Sequence, residues 1–462
     1  MQRARNALLL FALAVPTAAV AAPCAGFTDV DDSSPFCVNV EWMKNRGITF
    51  GLTPTSYDPD SPVTRLQMAA FIYRLGFQNA FLQGGSAFGG TATLGTSDNH
   101  ALDVRVNDLR VMRYEPSPIS PNVIGGNPSN RALPGVRGAT IAGGGVPLLG
   151  NNEPDYGNEA PNQVAGNYGT VGGGYGNRAG QPGQPAGFYP FDTVGGGQTN
   201  SAGGGWSTVG GGEENAATGS YGTVSGGYSN FAGNYASTVG GGDNNDATGN
   251  GATVAGGTGN VASGTRSAVP GGLGNAAIGE YSFAAGHRAK ANANGCFVWA
   301  DNTAADFICG TPNVFAVRAT GGVFIRTGLA PVAGVTLPAG GSAWAPSSDR
   351  HGKDNVIPVD PREVLDRLVR VPIATWNYVS QAPEVRHMGP MAQDLHEAFG
   401  LGESDRHIST VDADGVALAA IQGLNAKLEA EVRMLHAELA AIRSMLVERP
   451  SASLMQTAGT GR

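Results

Sequence analysis

The sequence predicts a mainly β protein built on a Gly-rich parallel β-coil of 15-residue repeats. A small N-terminal helical module and a C-terminal α+β region ending in a coiled coil flank it. Three observations carry this. Val171, Val194, Val209, Val224, Val239, Val254 and Val269 are each followed by two or three glycines within three positions, by Asn six residues on and by Ala eight residues on. The chain holds 71 glycines in 462 residues but none of the every-third-residue periodicity of collagen. Outside the repeats, apolar residues at spacings of three and four mark helices near both ends.

Charge sets early limits. A net charge of −8 with only 14% charged residues leaves no basic patch for nucleic acid and gives no reason to expect a polyanionic substrate.

At the N-terminus, Arg3 and Arg5 precede an apolar run from Ala7 to Val15 and then Ala19-Val20-Ala21. This reads as a signal peptide over 1–21, so the mature chain is expected to be exported, at the cell surface or outside the cell. Cys24 follows Pro23 and not a small lipobox residue. No other segment approaches the ~20 apolar residues of a membrane span. Export bears on the cysteines. Cys24 with Cys37 and Cys296 with Cys309 are each thirteen apart. In an oxidising compartment two local disulfides are the expectation, with zinc the alternative.

Residues 22–77 contain Phe27-Thr28-Asp29-Val30, Val40-Glu41-Trp42-Met43, Tyr57-Asp58-Pro59 and a run from Val63 to Arg74 whose periodicity predicts a helix over about 65–75, capped by Thr64. The segment resembles one S-layer homology module, which implies attachment to a cell-envelope polymer, with Arg65 as the binding residue carried over. Two departures stand: Gln67 replaces the usual acidic residue, and such modules normally come in threes. A disulfide-stapled domain without a ligand is the competing reading. Residues 78–120 read as a linker with a strand or two.

Over 121–294 the step is fifteen from Val194 onward, and the earlier step of 23 contains a surplus around Gln181–Phe188. Ile124 and Ile141 are degenerate early copies, and Ala284 a last one. A fixed short period with two inward apolar residues per unit marks a stacked coil. Ten coils at ~4.8 Å each give a rod of about 50 Å. The Asn column (Asn177, Asn200, Asn215, Asn230, Asn245, Asn260, Asn275) is expected to stack as a hydrogen-bonded ladder. The pattern resembles the head repeats of trimeric autotransporter adhesins, although those are richer in Ser-Ala-Ile. One Val and one Ala per coil contribute on the order of 2–4 kcal/mol. Ordering each residue costs on the order of 1–2 kcal/mol. So thin a core leads to the expectation that three chains share it, as a homotrimer.

Residues 295–346 read as a stapled β-cap, with Phe297-Val298-Trp299, Phe307-Ile308, Val314–Val317 and Val323–Ile325 as short strands and Gly328–Pro346 as an accessible linker.

The charged tail opens with Ser347-Ser348-Asp349-Arg350-His351-Gly352-Lys353. Thr375-Trp376-Asn377-Tyr378, then His387-Met388-Gly389-Pro390-Met391-Ala392-Gln393-Asp394 and a heptad helix follow. Ser348 is a nucleophile only if a base takes its proton, and Lys353 is such a base only when neutral, through burial or a neighbouring cation such as Arg350 or a group from another chain. A turn or helix start at Ser348 and Asp349 is the plainer reading. Together these motifs resemble the self-cleaving C-terminal intramolecular chaperone of phage endosialidases and tail spikes, over roughly 345–446. The resemblance implies catalytic Ser348 and Lys353, a single-turnover cut between Ser347 and Ser348, and assembly as a trimer. His387 is an accessory candidate for polarising the scissile carbonyl. With His396 and His407 it fits no metal cluster, and neither metal nor cofactor is expected. The chaperone is assigned to 347–415, a coiled coil to 416–447 and a disordered tail to 448–462. Leu418, Ile421, Leu428, Val432, Leu435, Leu439, Ile442 and Leu446 form the coiled-coil core, and Asn425 is its polar, register-fixing position.

Two function classes compete. One is a structural, adhesin-like fibre, for which a surface glycan or host ligand is a further candidate partner. The other is a tail-spike-like glycan hydrolase, lyase or binding protein, or a prophage tail fibre. Glycosidases need two carboxylates ~5–9.5 Å apart, and the repeats offer Glu213, Glu214, Asp243, Asp246 and Glu280 at corners. A signal peptide argues against a virion protein.

Overall fold

Fifteen residues suffice for two short strands and two corners, and the computed structural model shows that arrangement repeated. It describes residues 22–76, 90–145, 161–328 and 333–447. The expected signal peptide, the first part of the 78–120 stretch and the C-terminal tail lie outside the described residues.

The N-terminal module has a two-stranded antiparallel sheet, Pro23–Cys24 with Phe27–Asp31, followed by helix α1 (Cys37–Asn45) and helix α2 (Arg65–Gly76). Its core is Cys24, Phe27, Val30 and Val40, and a disulfide joins Cys24 to Cys37. Asp29 organises the loop before α2. Its carboxylate accepts from Ser56 Oγ and from the backbone N–H groups of Tyr57 and Asp58 at 2.7–2.8 Å. These bonds, Tyr57 foremost, hold the carboxyl down at about 2.

In the coil, each turn supplies a strand ending on the valine and another ending on the alanine. Thr208–Val209 pairs in parallel with Thr193–Val194 and Thr223–Val224, and Ala216–Ala217 with Ser201–Ala202 and Phe231–Ala232. Alternation turns every Val and Ala of the register inward, where Val171 to Val269 and Ala179 to Ala277 are fully buried. The valine column counts twelve strands, from Asn122–Gly125 to Phe315–Arg318, and the alanine column forms an eleven-stranded sheet. The 78–120 stretch, read as a linker with a strand or two, holds strands at Leu102–Val106 and Leu109–Glu115.

The asparagine ladder forms as expected. Asn215 Nδ2 donates to Asn200 Oδ1 at 3.2 Å, to Gly211 O at 2.9 Å and to Gly227 O at 2.8 Å, while its backbone N–H reaches Asn200 Oδ1 at 3.0 Å. One buried amide thus ties three successive turns. Asn130 and Asn162 extend the ladder upstream. Gly212, at φ +87°, shows why the third residue after each valine is glycine: a Cβ there would lie 2.2 Å from Gly227 O and 2.7 Å from Asn215 Nδ2.

Two expectations need correction. Both core columns are closed within one chain, so burial of Val and Ala does not require three chains to share a core. The strands read as a cap instead continue the coil: Phe297–Ala300 pairs in parallel with Phe283–His287 and Phe315–Arg318, and Phe307–Cys309 with Ala289–Ala291. Stacked Phe283, Phe297 and Phe315 rings replace the Thr column there, and the Cys296–Cys309 disulfide staples these turns. The antiparallel sheet comes later, from Val323–Arg326, Gly334–Leu337 and Ala345–Pro346. The stretch read as the linker Gly328–Pro346 therefore contributes two of these strands, Gly334–Leu337 and Ala345–Pro346.

The C-terminal region comprises helix α3 (Pro361–Leu368), the hairpin Ala374–Trp376 with His387–Gly389, helix α4 (Ala392–Phe399) and helix α5 (Thr410–Val447). Asp360 caps α3 by accepting from Arg362 N–H, with Pro361 at the first position. Helix α5 begins before the expected boundary at 416, because Val416, Ala420 and Gly423 on its first turns are buried. A Cβ on Gly423 would sit 2.1 Å from the Pro361 carbonyl oxygen. In an open helix Gly→Ala stabilises by ~1 kcal/mol. Gly423→Ala is expected to do the reverse, by about 1–3 kcal/mol of overpacking. Thermal unfolding of the variant checks the sign.

Candidate functional site

Ser348 lies just past the last strand of the antiparallel sheet. Ala345–Pro346 pairs with Val335 and Thr336, and Ser347 N–H donates to Gly334 O at 3.0 Å, so the chain reaches the Ser347–Ser348 bond already anchored. A single 3-10 turn, Arg350–Gly352, then reverses it. This brings Lys353 Nζ to 2.6 Å from Ser348 Oγ. The proton needed for nucleophilic attack has a partner within hydrogen-bond reach. Charged Lys353 donates to Ser348, and the neutral amine accepts from it. Both side chains are exposed in the single chain.

Asp349, between them, accepts from His351 N–H at 3.0 Å and meets His351 Nδ1 at 3.1 Å. Those contacts, the backbone one first, hold its carboxyl below the usual carboxylate range. His387 is placed with its hairpin. Its Nε2 shares a 2.9 Å hydrogen bond with Gln381 Oε1, and its ring lies 4.8 Å from Trp376 and 5.5 Å from Tyr378. Among the described residues no hydrogen bond joins His387 to Ser348 or Lys353.

The heptad face of α5 is largely exposed among the described residues. The eight expected core residues are between 46% and 64% exposed, and Asn425 Nδ2 bonds Glu429 Oε1 on the same helix at 2.9 Å. A second cavity-forming surface lies nearby: about 430 Å³ bordered by Asp360, Glu363, Arg367, Phe399, Val411 and Asp412.

In the N-terminal module, Thr64 and Gln67 form a reciprocal cap on α2, Thr64 N–H to Gln67 Oε1 at 2.8 Å and Gln67 N–H to Thr64 Oγ1 at 3.2 Å. Gln67 thus supplies a side-chain oxygen that closes the start of α2. A cavity of about 310 Å³ is lined by Tyr57, Asp58, Gln67, Phe71 and Arg74 among others. Arg65 is exposed and does not line it. Arg74, which bonds Ile48 O at 3.2 Å and lies 4.7 Å from the Phe50 ring, does. The helical spacing of Arg74 from Gln67, two turns, was the available signal.

The coil offers little to sugar chemistry. Glu213 and Asp243 share one column, two turns apart, with Tyr228 between them. Tyr168, Phe191, Trp206 and Tyr221 make a corner ladder with centroids 5.2, 5.9 and 5.3 Å apart, but the rings are stacked and cover one another's faces. Among the described residues no helix is long and apolar enough to cross a membrane.

Comparison with known families agrees with this geography. No curated protein matches the chain. Residues 26–69 match the S-layer homology domain, and residues 348–400 match the chaperone of endosialidase, a match whose first residue is Ser348. A single S-layer homology module, a parallel β-solenoid and an endosialidase-type chaperone region together fit an envelope-attached fibre or tail-spike-like protein, exported or held at the cell surface.

Proposed function

We propose that this protein is an exported, homotrimeric, adhesin-like fibre. Its C-terminal region assists folding of the coil and then cuts itself off between Ser347 and Ser348. The observation that carries the reading is the 2.6 Å contact between Lys353 Nζ and Ser348 Oγ at the start of the chaperone match. Lys353, as neutral amine, takes the Ser348 hydroxyl proton while Oγ attacks the Ser347 carbonyl carbon. The C–N bond breaks, and the proton passes to the departing Ser348 amine. The product is an ester between Ser347 and Ser348 Oγ, which water opens to the Ser347 carboxylate and a free Ser348 hydroxyl. Attack on the adjacent peptide is unimolecular, which offsets a modest base. Both side chains are exposed in one chain, which leaves the pair open to solvent.

Trimerisation is supported by the uncovered heptad face of α5, since a helix that leaves eight large apolar residues in water is stabilised by wrapping with copies of itself. The coil's repetition supports a chaperone role, because identical turns invite register slips. Three copies of a module that normally acts in threes then meet at the other end of the chain. Linked sites gain ~10²–10⁴ in avidity. Binding to purified cell-envelope polymer tests this: residues 22–80 alone are expected to bind poorly and the full-length assembly well. Equal affinity of the two, or no binding by either, would refute it. A surface glycan or host ligand is the proposed target of the coil.

A further inference from the structure

We propose that Asp349 is a positioning residue for the cut: its side chain caps the turn that carries Lys353 back to Ser348, without touching the reacting atoms. This rests on the self-cleavage reading above. Five residues of extended chain span roughly 16–18 Å, so the 2.6 Å contact between Ser348 and Lys353 depends entirely on the intervening turn. That turn is minimal. Gly352 N–H donates to Asp349 O at 3.2 Å and Lys353 N–H to Arg350 O at 3.1 Å, and nothing longer follows to reinforce them. A three-residue 3-10 segment has poor hydrogen-bond geometry of its own. Its stability falls to its cap, and Asp349 has the extended backbone of a cap residue (φ −66°, ψ 134°).

Asp349 Oδ1 takes the otherwise orphaned His351 N–H at 3.0 Å. Upstream, Ser347 N–H is fixed to Gly334. Ser348 therefore sits between two anchors, the sheet on one side and the capped turn on the other. The first sets where the scissile carbonyl lies, and the second sets where the base lies. The low carboxyl pKa agrees with a carboxylate that stays an acceptor at neutral pH.

The test follows cleavage of the full-length chain over time after synthesis, by denaturing gel and mass, in wild type, Asp349→Ala, Asp349→Asn and His351→Ala. Asp349→Ala is expected to cleave ~10²-fold more slowly, the scale of an ångström-level misplacement, while folding and assembling like wild type. Asp349→Asn keeps the capping oxygen and is expected to restore a rate close to wild type. His351→Ala keeps the backbone N–H and is expected to cleave normally. Wild-type cleavage in Asp349→Ala would overturn the proposal, as would Asp349→Asn cleaving as slowly as Asp349→Ala. If Asp349→Ala does not fold, the Asn variant decides by the same rate. An uncut wild type overturns the self-cleavage reading and this inference with it, whereas a cut wild type beside an equally cut Asp349→Ala overturns this inference alone.

Discussion

Ser348→Ala is expected to leave every chain uncut between Ser347 and Ser348 and still assembled. The hydroxyl is the attacking atom, so its removal does not slow the reaction by a factor; it removes the route. Lys353→Ala is expected to reduce cleavage by ~10²–10⁴, the usual contribution of a positioned base. Neither side chain is buried in a core, since both are exposed in the single chain. Folding should therefore be spared, because a chaperone acts through its shape and not its nucleophile. Efficient cleavage in either variant would remove the Ser348–Lys353 pair from the mechanism.

Val239→Asp is expected to prevent accumulation of the folded protein altogether. Val239 is fully buried between Val224 and Val254, in a column with no polar partner. An unpaired carboxylate there costs several kcal/mol even after its pKa rises, a large share of the roughly 5–15 kcal/mol that holds a typical domain together. Because turns contact only their neighbours, the damage should spread from one turn to both halves of the coil. Secretion of soluble, protease-resistant Val239→Asp would contradict a core built on the valine column. Thr238→Asp is the matched control: Thr238 points outward from the same strand, only partly covered, and should be tolerated.

The coil was legible because each column keeps one residue type, so chemistry and period reinforce each other. The same logic explains what the period hid. Asn130 and Asn162 belong to the ladder, but irregular early turns break the fifteen-residue step that would reveal them. At the far end the valine column passes to Ala284, Val298 and Ala316 while aromatic rings replace threonines, so continued coil reads as a new domain. Gly328–Pro346 looked like linker because Gly and Pro obscure its strands, whose hydrogen bonds are made by backbone and not by side-chain pattern. Ser348 and Lys353 were identified by resemblance, since two residues five apart carry little on their own. What the sequence did not disclose was the means of bringing them together, a turn of three residues with one capping carboxylate. Arg65 comes from motif alone, and the residues that line the module's cavity, Gln67 and Arg74 among them, follow from the fold of the loop before α2.

Self-cleavage and assembly are read together from the mass and N-terminal sequence of the C-terminal product, with the assembly weighed intact before denaturation. Two chain species are expected, one ending at Ser347 and one beginning at Ser348, in a native assembly of three copies. A uniform chain extending uncut through Ser347–Ser348, or a cut at another bond, would contradict this.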